Sequence, residues 1–301
     1  MNERDAASAS PSVSVIIPTL NAGKGLNELL SALMSQNCPA EEILVVDSSS
    51  EDNTTEICRR FDKVHLLSIS RKEFDHGKTR DFALRRSAGD IVVFLTQDAV
   101  PADSAFLGNL IAPLLDGDVA VSVGRQLPRR DAAKMEALVR NYNYPAESSM
   151  RSADDIPELG IKAFFCSDSC AAYRRDIYLR LGGFDYPLKS NEDMFFAAKA
   201  LHNGYRVAYA ADACVYHSHN FTLREQYKRN FVQGYEIERH RELLGNVSLN
   251  AEGFKLVRTV TGELLKKGAI FSIARFGLDC TARWLGNRNG KAACRREKHN
   301  A

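Results

Sequence analysis

Val13-Ser14-Val15-Ile16-Ile17-Pro18-Thr19-Leu20-Asn21 is an apolar, β-branched run that ends abruptly in polar residues. Three further segments repeat the change. Ile43 to Val46 precedes Asp47-Ser48-Ser49-Ser50, Val64 to Ile69 precedes His76-Gly77-Lys78-Thr79-Arg80, and Ile91 to Leu95 precedes Thr96-Gln97-Asp98-Ala99. Buried parallel strands favour such runs. Between the first two lie Leu26, Leu29, Leu30, Leu33 and Met34, spaced as one face of a helix. Strands alternating with helices predict an α/β fold around a mostly parallel sheet. The carboxyl ends of such strands share one edge, where ligands bind, so the four polar clusters are expected to converge on one site.

Those clusters carry what a nucleotide-diphosphate site requires. Asp47 can accept a hydrogen bond from a base imide or a sugar hydroxyl, Arg80 and Lys78 can neutralise phosphate, and Asp98 offers oxygen to a hard divalent cation. Asp47-Ser48-Ser49-Ser50 equally suits the N-cap of a helix starting near Asn53.

Val13 to Asn21, followed by Val45-Val46-Asp47-Ser48-Ser49-Ser50, resembles the opening of the family 2 inverting glycosyltransferases of the GT-A fold. Phe74-Asp75-His76-Gly77-Lys78-Thr79-Arg80, Phe94-Leu95-Thr96-Gln97-Asp98-Ala99-Val100-Pro101, Asn191-Glu192-Asp193 and Val215-Tyr216-His217-Ser218-His219-Asn220 are similar to the rhamnosyltransferase branch that builds bacterial surface polysaccharides. The resemblance runs from about Val13 to the region of His240, with Lys78 where Gly is expected and Asp81 where Asn is expected.

The resemblance implies a Rossmann-like, mostly parallel central sheet flanked by helices. It also implies a nucleotide-diphospho-sugar donor, dTDP-L-rhamnose first and a UDP- or GDP-linked sugar as the alternative, a lipid-linked saccharide acceptor, and Mg²⁺ or Mn²⁺. Donor binding is carried over to Pro18, Thr19, Asn21, Asp47, Ser49, His76, Arg80, Gln97 and Asp98. Asp193 matches the aspartate that takes the acceptor hydroxyl proton as general base, with Glu192 beside it. Ser190-Asn191-Glu192-Asp193 also fits a capping box. Asp98 is the expected metal anchor, and Gln97 stands where most relatives carry a second acid. His217 and His219, two apart after a strand, share one side. His217 is assigned to the metal and His219 to the acceptor or diphosphate, a purely structural pair being the other reading.

The organisation expected is a loose tail over 1–12, a catalytic domain over 13–245 and a basic helical extension over 246–301. The domain divides into a nucleotide-sugar half, 13–124, and an acceptor and catalytic half, 125–245. Val119 to Gly124 reads as a fifth strand, 125–160 as acceptor-contacting loops, Lys162 to Tyr173 as strand-like, and Met194 to Leu201 as a helix stopped by Asn203-Gly204.

The net charge of +2 hides an asymmetry: from Lys255 onward the balance is +8, against −6 for the rest. That basic segment also contains Leu264, Leu265, Ile270, Phe271, Phe276, Leu278 and Trp284. It reads either as a helix lying on an anionic membrane surface or as one packed back on the body.

No run reaches the length of a membrane span, residues 1–12 lack a secretion signal, and no nucleic-acid-binding motif is present. Seven cysteines without a paired framework suit reduced thiols, Cys166 and Cys170 being read as small buried hydrophobes. The expected location is therefore cytoplasmic, peripheral to the inner face of the cell membrane. Two other classes fit less well. A nicotinamide-dependent oxidoreductase is suggested by Gly23-x-Gly25 and Asp47, but Glu28 occupies the position that needs a third glycine. A non-catalytic sugar-nucleotide-binding module is expected to lack Asp98 or Asp193, and both are present.

Overall fold

The computed structural model describes residues 10–245 and 250–300. Most of the expected N-terminal tail and the first four residues of the expected extension lie outside the described residues. Nine strands form one sheet: β1 Val13–Thr19, β2 Glu42–Asp47, β3 Val64–Ser68, β4 Ile91–Leu95, β5 Val100–Pro101, β6 Val119–Leu127, β7 Ser149–Arg151, β8 Cys170–Arg174 and β9 Arg206–Tyr216. Their order is β3-β2-β1-β4-β8-β6-β9-β5, with β7 also paired to β9. β3, β2, β1 and β4 run parallel, β8 runs antiparallel between β4 and β6, and β9 is parallel to β6.

β1, β2 and β4 are buried on both faces, which explains their continuous apolar runs, while the edge strand β3 is only half-buried. Ile16, Val92 and Phe94 enter one core cluster, while Val15, Ile17, Val93 and Leu95 enter the other. The helix Leu26–Met34 closes the second cluster with Leu26, Leu29, Leu30 and Leu33; Met34, expected on the same face, is 37% exposed. Each such burial contributes about 1.5–3 kcal/mol.

Two expected segments differ. Gly160–Phe164 is a 3₁₀ turn and only Cys170–Arg174 forms strand. Phe164 is buried because it plugs the core that also holds Phe195 and Phe196 of the helix Glu192–His202, not because it alternates along a strand. The stretch expected to be loops contains the end of β6, the helix Lys134–Asn143 and β7.

All seven cysteines are free, with Cys166 and Cys170 buried. Among the described residues no helix is long and apolar enough to cross a membrane.

The C-terminal helices pack back on the body. Helix Ile270–Asn300 lies along helix Leu223–Arg239 so closely that a Cβ at Gly290 would sit 2.0 Å from the Phe231 carbonyl oxygen, and one at Gly234 would sit 2.3 Å from that of Asn287. Arg295 binds Glu238 at 2.7 Å, and Val260, Leu264 and Phe276 form a small core with Val139.

Candidate active site

At the carboxyl edge of the parallel strands, the loops after β1, β2 and β4 are bound to one another. Thr19 Oγ1 donates to Asp47 Oδ1 at 3.1 Å, Ser50 N donates to Asp47 Oδ2 at 2.9 Å, and Asn21 Oδ1 accepts from Glu51 N at 2.9 Å. Gln97 Oε1 accepts from Leu20 N at 2.8 Å, so this side chain ties the β4 loop to the β1 loop. Asp47 does not cap the following helix, which starts at Thr54 with Asp52 accepting from Thr54 N at 3.0 Å. Asn21, Ser49 and Asn191, the non-glycine residues with positive φ among the described residues, all stand on the loops of this region. Such backbone costs of order 1–3 kcal/mol and collects at functional sites.

Beside these loops opens a crevice of about 610 Å³, lined by His76, Arg80, Asp98, Asp168, Glu192, Asp193, His217, His219 and Arg229, among others. Pro18, Thr19, Asn21, Asp47, Ser49 and Gln97 do not line it; they stand on the neighbouring strand ends.

Asp193 is in the first turn of the helix Glu192–His202, whose N-cap is Asn191 and makes no side-chain cap, so the competing capping-box reading of Ser190 to Asp193 does not hold. Its Oδ1 accepts from Met194 N at 2.7 Å and its Oδ2 from Asp168 N at 3.1 Å. Burial, and next the charge of Glu192, push the Asp193 carboxyl up to about 6.

Arg80 does not present itself to a phosphate in this arrangement. Its buried guanidinium lies between Glu192 Oε1 at 3.0 Å and Asp168 Oδ2 at 3.4 Å. The helix that carries it, His76–Leu84, is capped by Asp75, which accepts from Lys78 N at 2.9 Å, while the Lys78 side chain is exposed. Desolvation drives the buried Asp168 carboxyl upward, against the Arg80 charge. Tyr173 OH donates to its other oxygen at 2.6 Å.

A second cluster faces the same crevice. His217 Nε2 and His219 Nε2 each lie 3.5 Å from an Asp98 oxygen and 3.0 Å from each other. The three ligand atoms fall within 4.8 Å of one another. His217 Nδ1 faces Gln126 Oε1 at 2.8 Å, and Arg140 Nη1 donates to that same oxygen at 2.5 Å. An oxygen that only accepts fixes the His217 proton on Nδ1 and leaves the Nε2 lone pair toward Asp98. Burial, and next the neighbouring His217, hold His219 down to about 4. Burial of Asp98 opposes its ionisation, yet in acid a hydrogen bond from protonated His217, with the charges of protonated His217 and His219, outweighs it and sets the carboxyl at about 2. Near neutral pH Asp98 is thus ionised and His219 neutral, the states in which both offer lone pairs.

Sequence reasoning missed Asp168, Gln126, Arg140 and Arg229. Asp168 alone left a local signal, a polar Ser167-Asp168-Ser169 directly before a strand.

A model of the family described as Glycosyl transferase family 2 matches residues 14–182. The O-antigen chain rhamnosyltransferases RfbN of Salmonella typhimurium and WbaN of Salmonella anatum are each 39% identical to this chain, over 93% of its length and 89% and 90% of theirs. Among solved structures, the mannosyltransferase PcManGT from Pyrobaculum calidifontis, in complex with GDP-Man and Mn²⁺, superposes with a TM-score of 0.64 at 21% identity. That match covers 96% of this chain and 87% of the other. TarS of S. aureus in complex with UDP-GlcNAc superposes with a TM-score of 0.54 at 19% identity, covering 95% of this chain and 92% of that one. The family match spans more than half of the sequence and near-complete relatives share well over a third of its residues, so this chain belongs to glycosyl transferase family 2 and has the GT-A fold.

Proposed function

We propose that this glycosyltransferase moves L-rhamnose, with inversion, from dTDP-L-rhamnose to a lipid-linked saccharide in bacterial surface polysaccharide synthesis. It works on the cytoplasmic side, peripheral to the membrane. The observation that carries the reading is the facing of two clusters across one crevice: an aspartate raised toward neutrality, Asp193, and a ligand trio, Asp98, His217 and His219.

Asp193 accepts the acceptor hydroxyl proton as that oxygen attacks the anomeric carbon. The bond from that carbon to the diphosphate breaks, and the nucleotide diphosphate leaves with the electron pair. The two backbone donors on Asp193 hold its carboxylate in one orientation. Arg80, clamped by Glu192 and Asp168, fixes the helix start that carries the base; it is a positioning residue in this reading.

One carboxylate oxygen and two imidazole nitrogens fit a divalent cation, and the nitrogen share favours Mn²⁺ over Mg²⁺. When bound, the cation supplies charge that stabilises the departing diphosphate. Arg229 and Lys189 on the crevice wall add cationic donors for phosphate oxygens. Thr19 and Asp47 on the adjoining strand ends receive the nucleoside.

Donor hydrolysis without acceptor tests the reading, across dTDP-L-rhamnose and UDP- and GDP-linked sugars, with Mn²⁺, with Mg²⁺ and with chelator. Turnover is expected to be fastest with dTDP-L-rhamnose and Mn²⁺ and to fail in chelator and in Asp98→Ala. Full turnover in excess chelator would overturn the metal assignment, and preference for another nucleotide the donor assignment.

A further inference from the structure

Helix Ile270–Asn300 is apolar on two faces, which is why its helical periodicity is poor in the sequence. One face, with Phe276 and the glycines at 286 and 290, packs on the body. The opposite face still presents Ile270, Phe271, Leu278, Trp284 and Leu285, with Phe271 93% exposed. These side chains stand seven or fourteen residues apart in two adjacent stripes, 270 with 284 and 271 with 278 and 285, so they share one side of the helix.

The exposed charges among them are Arg275 and Arg288, with Lys266 and Lys267 just before. The acid within this stretch does not reach that side, because Asp279 is buried against Arg283; just before it, the part-exposed Glu263 pairs with Lys266 and offsets that cation. A contiguous apolar stripe studded with cations, and with no exposed acid between 270 and 288, matches the interface of an anionic bilayer. A soluble acidic protein would reward the cations but leave Phe271 and Trp284 with nothing to enter.

The stripe also borders a groove that shares His219 with the catalytic crevice. The groove, of about 390 Å³, runs from Phe271 and Arg275 past Phe221 and Asn220 to His219.

We infer that this face docks on an anionic lipid bilayer and that the groove opening on it at Phe271 and Arg275 leads a bilayer-anchored acceptor to His219 and the crevice. The inference rests on the proposed function for the acceptor; the docking is tested without it.

Trp284 is the single tryptophan of the chain, so its emission reports this face alone. With the full chain and vesicles containing phosphatidylglycerol, Trp284 emission is expected to shift to the blue and to be quenched by brominated lipid chains. Vesicles of phosphatidylcholine alone should give little change, and added salt should reverse the binding. The pair Arg275→Glu with Arg288→Glu should weaken vesicle binding at least about fivefold per cation removed, and Phe271→Asp with Leu278→Asp should abolish the blue shift. All of these side chains are exposed, and circular dichroism with thermal melting checks that each variant is folded. An unmoved Trp284, unchanged binding by both variants, or a shift that follows protein concentration without vesicles, as between two copies of the chain, overturns the docking. Loss of donor hydrolysis in the unaltered chain, with Trp284 still entering the bilayer, overturns the proposed function and leaves the docking intact.

Discussion

The loops after β1 and β2 and the acid cluster around Asp193 share one edge of the sheet, yet they are held in opposite ways. Asp47 is satisfied by its own neighbourhood, through Thr19 Oγ1 and both the backbone and hydroxyl of Ser50, and Gln97 exchanges hydrogen bonds with both backbone groups of Leu20. Across the crevice, Arg80 Nε and Asp168 Oδ2 face each other at 3.4 Å without completing a hydrogen bond. Asp193, Glu192 and Asp168 are all driven toward the protonated form, with desolvation the leading cause in each. The first region is held by its own hydrogen bonds. The second concentrates charge in a poorly solvated place, which is costly for stability and useful for proton transfer.

The largest effect expected from this contrast is on turnover. Asp193→Asn should lower transfer by about 10²- to 10⁴-fold with donor affinity nearly unchanged; normal transfer per folded molecule would remove Asp193 from the chemistry. Asp168→Ala leaves the buried Arg80 with the Glu192 carboxylate and the His76 carbonyl as its partners and should cost about 3–5 kcal/mol of stability, read by denaturant unfolding. A variant as stable as the unaltered chain would show that the buried network carries no such load.

Gln126→Leu frees the His217 tautomer and should weaken Mn²⁺ affinity by about 10- to 100-fold, measured by titration calorimetry. Unchanged affinity would mean that His217 does not bind the ion. The smallest change belongs to the self-satisfied side. Gln97→Ala removes a loop tie and should cost about 1 kcal/mol of stability with transfer per bound donor retained; a collapse of turnover would break the contrast.

Much of this fold can be read from the sequence because β1, β2 and β4 are buried on both faces and the helix over Leu26 has one clear apolar stripe. Lys162 to Tyr173 misleads because a short apolar run looks the same whether it plugs a core or lies in a sheet. At the site, the one-sided placement of His217 and His219 follows from their spacing, and Asp98 lies opposite them as the motif suggested. What Arg80 touches was not legible. Its acidic partners come from 88 and 112 residues further along the chain, brought to it by the antiparallel insertion of β8 and the helix after Asn191. Asp168 was hidden for the same reason. The C-terminal segment offered two readings in sequence; one face of its last helix packs on the body, and the other is left exposed and is the face proposed for the bilayer.

The central claim is that Asp193 is the base that receives the acceptor proton, and the pH dependence of transfer tests it most directly. Burial and Glu192 raise this carboxyl to about 6, so the basic form is lost as pH falls through that value. The account predicts that the single-turnover transfer rate of the unaltered protein climbs with pH, with an inflection near pH 6, and levels off above it. It also predicts that Asp193→Asn keeps a low residual rate without that inflection. An Asp193→Asn variant that shows the same inflection would contradict the account, because another group would then be taking the proton.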